Sequence, residues 1–211
     1  MSETTTPSGD KQRVCLKGGI LSYPALLKPK KLESSQGDPK YQANIIFSKT
    51  EHAEEIKKAK TAILAAAVVK WGDKAQQVLQ YLGANKRLCL KSGDTVLDSE
   101  GYDSSVMFIS ASNGDQPQLV DGQRQKVDAA RINAVFYPGA IVNVVLRFWA
   151  LDHKDATIGK RMCCSLEIVQ FAGQGKRIGH APPKAEDYLD VLDAEPLDEA
   201  SAPAGEDDFS F

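Results

Sequence analysis

Alternation of apolar and polar residues at every second position is the dominant pattern of the chain, and it predicts β-strands. The clearest example lies within residues 136–150, where Val142, Val144, Leu146 and Phe148 would face one side and the residues between them the other. Shorter runs with the same period predict further strands at 13–17, 20–27, 41–49, 87–91, 107–111, 118–120 and 161–171. Many short strands separated by turn residues predict a mainly β protein, with a curved antiparallel sheet or small barrel.

One segment, residues 50–83, has helical rather than strand periodicity. Within it, Ile56, Ala59 and Ile63 recur at the spacing of one helix face, and a shorter second helix is predicted from Asp73 to Leu82. Glutamates come early in the first helix and lysines follow, which suits the helix dipole. The pattern therefore predicts a helical insertion that packs on the sheet and takes no part in binding.

Glycine and proline mark turns and irregular strand positions. Asn113-Gly114-Asp115 is a typical hairpin turn, and it predicts that the strands on either side of it, 107–111 and 118–120, are joined as a hairpin. Pro24 and Pro29 cannot donate backbone hydrogen bonds. They predict that the strand containing them lies at an edge or an irregular rim of the sheet.

Charge divides the chain into two parts. Residues 185–211 hold ten of the 28 acidic residues and no Lys or Arg, so the preceding 184 residues carry a net charge of about +8. A basic body joined to an acidic tail is typical of proteins that bind a polyanion and carry an appendage resembling one. We expect a flexible N-terminus at 1–12, a folded domain at 13–180, and a disordered acidic tail at 181–211.

The sequence contains neither a membrane segment nor a recognisable cofactor site. No apolar run reaches the roughly 20 residues needed to span a bilayer, and the N-terminus lacks the basic and apolar regions of a signal peptide. We therefore expect a cytoplasmic protein with no membrane contact. Cys15, Cys89, Cys163 and Cys164 lack the paired spacing of a zinc site, and we expect them to be reduced, small apolar residues.

One cluster of acids in the body could carry catalysis. Asp94, Asp98, Glu100 and Asp103 could hold Mg²⁺ or Ca²⁺ for phosphodiester chemistry, although their spacing matches no EF-hand loop. The sequence offers no phosphate-binding loop to accompany these acids, because the run Gly173-Gln174-Gly175-Lys176 lacks the first glycine and the final Ser or Thr of such a loop. An exposed polar loop is the simpler interpretation of the acids, and a metal-dependent nuclease is the alternative function.

Cations and aromatic residues alternate along the body in a way that suits single-stranded nucleic acid. Such strands are held by basic groups that follow the phosphates and by aromatic rings on which bases stack, each stacked base contributing about 1–3 kcal/mol. The candidate binding residues are Lys28, Lys30, Lys31, Tyr41, Lys86, Arg87, Tyr102, Tyr137, Arg147, Trp149, Lys154, Lys160 and Arg161. Stacking does not distinguish DNA from RNA without a contact to the 2′-hydroxyl, so both are candidate ligands.

The last residues of the tail form a candidate docking signal. Asp207 and Asp208 precede Phe209 and Phe211. Solubility requires no aromatic residues, whereas acids followed by a terminal aromatic ring and the α-carboxylate fit a basic, hydrophobic pocket on a partner. A second alternative is therefore a non-catalytic adaptor, in which the tail is the main functional part and the body is a scaffold.

A basic body followed by an acidic tail with a terminal phenylalanine resembles the single-stranded DNA-binding proteins of tailed bacteriophages. Segments 18–24 (GGILSYP), 136–143 (FYPGAIVN) and 169–179 (VQFAGQGKRIG) are similar to recurrent segments of that family. The resemblance implies an OB fold, DNA binding without sequence preference, no catalysis and no cofactor. It also implies a tail that contacts replication proteins such as a DNA polymerase or helicase, in the cytoplasm of a bacterial host, and it is compatible with a homodimer.

Overall fold

In the computed structural model, which describes residues 10–31, 37–96, 99–155 and 158–179, the fold is built around a seven-stranded sheet. The strands are β1 (Arg13–Lys30), β2 (Lys40–Ser48), β3 (Leu90–Ser92), β4 (Val106–Asn113), β5 (Gln118–Val120), β6 (Ile141–Asp152) and β7 (Lys160–Gly173). Their order across the sheet is β3-β4-β2-β1-β6-β7-β5. The mainly β architecture predicted from the alternation is confirmed.

The sheet curls so that its two halves meet. Neighbouring strands are antiparallel except β5 and β7, which are parallel. β4 packs against β7 although the two are not neighbours in the strand order, and the side-chain amide of Asn113 donates a hydrogen bond to the carbonyl oxygen of Leu166 at 3.2 Å. The backbone N–H of Met162 in β7 donates to the carbonyl oxygen of Arg87, just before β3, at 3.0 Å. These contacts give the antiparallel sheet a barrel-like form.

The prediction that β4 and β5 form a hairpin is wrong. β5 instead pairs in parallel with β7, with Leu119 opposite Val169. The cause lies in the two residues before β5, since the side-chain amide of Gln116 donates to the carbonyl oxygen of Leu26 at 2.8 Å and Pro117 is buried. These contacts carry the chain away from β4 and across to the free edge of β7.

The helices lie in the connections between strands. They are α1 (Ala53–Trp71) and α2 (Ala75–Ala84), both between β2 and β3, and α3 (Ile132–Val135), before β6. The buried side of α1 includes Ile56, Ala59 and Ile63 and packs against β1 and β6. Within the described residues, no helix combines the length and apolar character needed to cross a membrane. The predicted helical insertion packed on the sheet is confirmed.

The sheet buries apolar side chains on both of its faces. The inner face holds the main core, to which Ile45 of β2 and Ile109 of β4 belong. On the outer face, a smaller cluster forms where the loop before β4 brings Tyr102 against Ile46 and Phe108. Farther along β2 and β4 the outer face carries half-buried polar side chains, which leaves that stretch accessible to a ligand.

β1 is bent at Tyr23, where its ladder with β2 is interrupted. The register shifts between Ser22 and Ala25, and Tyr23 adopts a φ of 47°, in the left-handed region that residues with a side chain rarely occupy. Pro24 cannot donate a hydrogen bond to the ladder, and the pairing of β1 with β6 ends at Ile20. The second half of β1 is therefore the irregular edge that its prolines predict.

Candidate nucleic-acid interface

A groove of about 590 Å³ lies between β7 and the segment that leads from α2 into β3. We name it the basic groove, because its charged lining residues are all cations: Lys40, Lys86, Arg87, Lys91 and Arg161. Among the described residues that line it, there is no Asp or Glu. Five cations on one concave surface concentrate a positive potential where a polyanion could lie.

Two of these cations are held by a single carbonyl group. Arg87 donates from Nη1 to the carbonyl oxygen of Ile158 at 3.1 Å, and Arg161 donates to the same oxygen from Nε at 3.2 Å and from Nη2 at 2.8 Å. Neither guanidinium forms an ion pair with an acid in the part of the chain that the structure describes. No acid of the described residues therefore neutralises their charges, and their other N–H groups can meet a phosphate.

Trp149 supplies an aromatic ring to the same groove. It lies on the outward side of β6 and is 39% exposed. Its indole N–H donates to the hydroxyl oxygen of Ser165 on β7 at 3.1 Å, so the ring is oriented and its one donor is satisfied. A fixed, partly exposed indole beside five cations is a combination that suits the binding of single-stranded nucleic acid.

The outer face of β2 and β4 leads away from the basic groove. Alternation along β2 places Lys40, Gln42 and Asn44 on this face, and the register places Ser112 opposite Gln42 and Ser110 opposite Asn44. Lys40 and the two serines line the basic groove. The result is a polar path across the sheet, with hydroxyl and amide groups on its surface.

A second groove, of about 540 Å³, lies at the other end of this path, and we name it the Tyr23 groove. Tyr23, Pro24 and Lys30 line it, together with Ser110 and Ser112, which it shares with the basic groove. Tyr23 is 59% exposed. The two grooves therefore form one continuous surface across the sheet.

Three cysteines lie under the basic groove as free thiols: Cys89, Cys163 and Cys164. Burial raises the pKa of Cys89 to about 12, and it also raises the pKa of Cys163 and of Cys164. In the described residues, no three His, Cys, Asp or Glu side chains form a group that could hold a metal ion. Burial thus favours the neutral, protonated form of these three thiols.

The structure brings four of the predicted contact residues together in the basic groove: Lys86, Arg87, Trp149 and Arg161. Lys28, Lys30 and Lys31 are exposed at the end of β1, and Lys30 lines the Tyr23 groove. Lys28 and Lys31 lie outside the lining of both grooves, as do three other predicted cations. Arg147 pairs with Asp10 at 3.5 Å, Lys160 pairs with Asp152 at 3.6 Å, and Lys154 is exposed in the β6–β7 loop.

Tyr102 is not placed to stack on a base. It is only 9% exposed, and its hydroxyl donates to Ser22 Oγ at 3.0 Å. The hydroxyl oxygen of Tyr102 also accepts a hydrogen bond from Asn44 Nδ2 at 3.0 Å. Its ring meets Phe108 edge-on, with 5.1 Å between centroids. The polar composition of its loop suggested exposure, but the ring covers the small apolar cluster, so the structure removes it from the candidate set.

Two other predicted tyrosines lie outside the lining of both grooves. Tyr41 is half-buried and alternates in phase with Ala43 and Ile45, on the core side of β2. The ring of Tyr137 is covered by the guanidinium of Arg177, 4.7 Å from its centroid. The Tyr137 hydroxyl donates to the carbonyl oxygen of Gly175 at 3.0 Å and accepts from its N–H at 3.1 Å, which fastens the chain after β7 to the turn before β6.

The sequence interpretation missed three residues of this surface: Tyr23, Lys40 and Lys91. Alternation along β2 contained the signal for Lys40, because it shares the polar face with Gln42 and Asn44, whereas Tyr41 beside it faces the core. For Tyr23, Pro24 predicted only an edge or an irregular rim, and the outward turn of the ring follows only from the bend.

Two of the four acids proposed for metal binding, Glu100 and Asp103, have other partners. Glu100 accepts from Lys176 Nζ at 3.2 Å and from the N–H of Gly179 at 3.1 Å, and Asp103 accepts from the N–H of Ser105 at 2.7 Å. The hydroxyl of Ser105 also donates to Asp103, and this bond, reinforced by the one from the Ser105 backbone N–H, lowers the pKa of Asp103. Asp94 is exposed, and Asp98 lies outside the described residues, as do the tail residues Asp207, Asp208, Phe209 and Phe211.

Comparison with known proteins points to one family. A family model described as the single-stranded DNA-binding protein of Enterobacter phage Enc34 matches residues 12–200. The solved structure of the bacteriophage Enc34 protein in complex with ssDNA is 22% identical, with 84% of this chain and 100% of that chain covered and a TM-score of 0.69. Gp2.5, the single-stranded DNA-binding protein of bacteriophage T7, is 10% identical, with 88% and 97% covered and a TM-score of 0.53. No curated protein sequence matches the chain.

Proposed function

Because the chain belongs to the family of the Enterobacter phage Enc34 single-stranded DNA-binding protein, we propose that it binds single-stranded DNA without sequence preference and without catalysis. The observation that carries this proposal is the basic groove, with five cations, no acid among its described lining residues, and the partly exposed Trp149. Phosphates lie against the cations and a base stacks on the indole. Every base has a flat face, so this mode of binding tolerates any sequence.

The cellular role we propose is to coat and protect single-stranded DNA during replication and recombination, in the cytoplasm of a bacterial host. Residues 13–180 form the binding domain in this proposal. The acidic residues of 181–211 compete with DNA for the cations, and Asp207, Asp208, Phe209 and Phe211 dock on a replication protein such as a polymerase or helicase. The separation of ten acids from a body of about +8 supports this division of labour.

Titration of a fluorescently labelled oligo-dT with the full chain, over a series of salt concentrations, tests the binding. Contacts between three to five cations and phosphates give a slope of log affinity against log salt of about −2 to −3.5. A slope near zero would overturn the electrostatic mechanism.

A chain that lacks residues 185–211 should bind more tightly at low salt, and equal affinity would overturn the proposed competition between the tail and DNA. Binding by this shortened chain also excludes an adaptor whose body is only a scaffold.

The chain has two tryptophans, which allows the position of the DNA to be read directly. In the variant Trp71→Phe the indole fluorescence comes from Trp149 alone, and we expect oligo-dT to quench it. In Trp149→Phe the remaining indole is Trp71, which donates to Asp152 Oδ2 at 3.1 Å outside the groove lining, and little quenching should follow. The reverse pattern would place the DNA elsewhere.

Incubation of a labelled single strand with the protein and Mg²⁺ or Mn²⁺ tests the absence of catalysis. We expect the strand to stay intact. Cleavage that is lost in Asp94→Asn or Asp103→Asn would favour the nuclease alternative.

A further inference from the structure

We propose that the Tyr23 groove is a second base-binding subsite, and that one DNA strand crosses to it from the basic groove over Ser110 and Ser112. The proposal rests on the proposed function, since it assigns the path of the same ligand. It adds a ring, Tyr23, and a place on the protein where bases rather than phosphates are held.

The backbone turns Tyr23 outward at an energetic cost. Its φ of 47° is unfavourable for a residue with a side chain, and the residue before a proline is further restricted. The shift of register between Ser22 and Ala25 is a bulge, a feature that redirects a side chain to the face it would otherwise avoid. Strained residues of this kind concentrate at functional sites.

The ring of Tyr23 is positioned by contacts with the protein but remains exposed to solvent. Its hydroxyl lies 3.1 Å from Ser99 Oγ, and its centroid lies 6.1 Å from that of Tyr102 at an angle of 36°. Tyr102 is itself fixed by its bonds with Ser22 and Asn44. Tyr23 nevertheless remains 59% exposed, so a positioned aromatic surface faces solvent. A ring that is already ordered loses little entropy when a base stacks on it.

The linings of the two grooves differ in a way that suits different parts of a nucleotide. The basic groove has five cations, whereas the Tyr23 groove has one, Lys30, beside apolar groups that include Pro24, Ala25 and Pro138. Apolar and aromatic surface suits the flat faces of bases, and isolated cations suit the phosphates between them. Neither described lining contains an acid that would repel the strand.

The test compares Tyr23→Ala with Tyr81→Ala over a ladder of oligo-dT from about 4 to 16 nucleotides, the range of site sizes for folds of this kind. Tyr81 is a matched control, because it is 61% exposed on α2 and lies outside the lining of both grooves. The longest strands should lose about 5- to 150-fold in affinity for Tyr23→Ala, and the shortest, which fill only the basic groove, should lose none. Tyr81→Ala should follow the wild type at every length.

A further variant distinguishes an effect of the aromatic ring from an effect on the fold. Tyr23→Phe removes the hydroxyl that meets Ser99 but keeps the stacking surface, so it should bind long strands within about threefold of the wild type. A strand substituted with 5-iododeoxyuridine and irradiated should cross-link to Tyr23, as read by mass spectrometry.

The outcomes distinguish the two proposals. If the wild type binds no strand, the proposed function fails. If the wild type binds and Tyr23→Ala matches it at every length, the second subsite is overturned while the proposed function stands. An equal loss at all lengths would also overturn it, because Tyr23 would then act on the basic groove and not on a separate part of the path.

Discussion

Arg87 and Arg161 direct their guanidinium groups at one acceptor, the carbonyl oxygen of Ile158, from two different elements of the fold. Arg87 lies in the segment before β3 and Arg161 at the start of β7, and the N–H of Met162 donates to the carbonyl oxygen of Arg87. Two like charges held side by side repel each other. A phosphate that binds between them relieves the repulsion, so the contact that closes the barrel also prepares a site for an anion.

The double variant Arg87→Gln with Arg161→Gln should weaken DNA binding and reduce its dependence on salt. Glutamine can still donate to the carbonyl oxygen of Ile158, so the change removes charge and keeps a donor. Loss of two phosphate contacts makes the slope of log affinity against log salt less negative by about 1.4. The measurement is a titration of oligo-dT at four or more salt concentrations.

The control for this variant is Lys60→Gln with Lys70→Gln, which removes the same charge from the exposed side of α1, outside both groove linings. Its slope should equal that of the wild type. Equal slopes for all three proteins would show that the arginines meet no phosphate.

Cys163 should report occupancy of the basic groove. It is half-buried and lines the groove, whereas Cys15, also half-buried, does not. Bound DNA should slow alkylation of Cys163 and leave Cys15 unchanged, as measured by pulses of iodoacetamide and mass spectrometry. Burial raises the pKa of Cys163, so less thiolate is present at neutral pH than for an exposed cysteine, and alkylation should accelerate as the pH rises towards that pKa. Protection of both cysteines alike would argue for a global effect.

Tyr102→Phe should destabilise the fold by about 1–3 kcal/mol. The change removes the hydroxyl that bonds Ser22 Oγ and Asn44 Nδ2, and Ser22 is only 2% exposed, so its hydroxyl would lose its partner in a buried place. Urea unfolding followed by circular dichroism measures the loss. The control Tyr81→Phe removes an exposed hydroxyl and should change the free energy of unfolding by no more than about 0.5 kcal/mol.

Gly139→Ala should destabilise the fold by about 3 kcal/mol or more. Gly139 has a φ of 104°, and a methyl group there would overlap the carbonyl oxygen of Lys176 and lie 2.8 Å from Arg177 Cα. Both obstacles are backbone, so the strain cannot be relieved by a side-chain rotation. Thermal unfolding provides the measurement.

Gly114→Ala is the matched control for Gly139, because a methyl group there meets nothing within 4 Å. It should unfold close to the wild-type temperature. An equally stable Gly139→Ala protein would mean that residues 175–177 are not held against the turn before β6.

Local patterns predicted most of the fold because strand alternation records which face is buried. The parallel pairing of β5 with β7 escaped this reasoning, since Asn113-Gly114-Asp115 is a local turn signal, while the contact that redirects the chain joins Gln116 to Leu26, 90 residues away. No short-range pattern contains that information.

The candidate site was also predictable only in part, because short-range patterns do not record contacts between residues far apart in the sequence. The basic character of Lys86, Arg87 and Arg161 was visible, but their convergence depends on the closure of the barrel. The burial of Tyr102 had one overlooked signal, Ile46, an apolar residue at a position where the polar face of β2 would otherwise continue. An apolar residue on a polar face requires a cover, and Tyr102 provides it.

The bend in β1 links the proposed ligand surface to the most constrained part of the sheet. Ile20 pairs with Ile46 on one side and with Ile141 on the other, three residues before Tyr23. A change of backbone conformation at Tyr23 would therefore act close to pairs in the centre of the sheet. The rate of amide hydrogen exchange at Tyr23 and Ala25 should therefore report ligand occupancy. A DNA strand bound to the ring adds its binding free energy to the cost of local opening, so exchange at these two amides should slow.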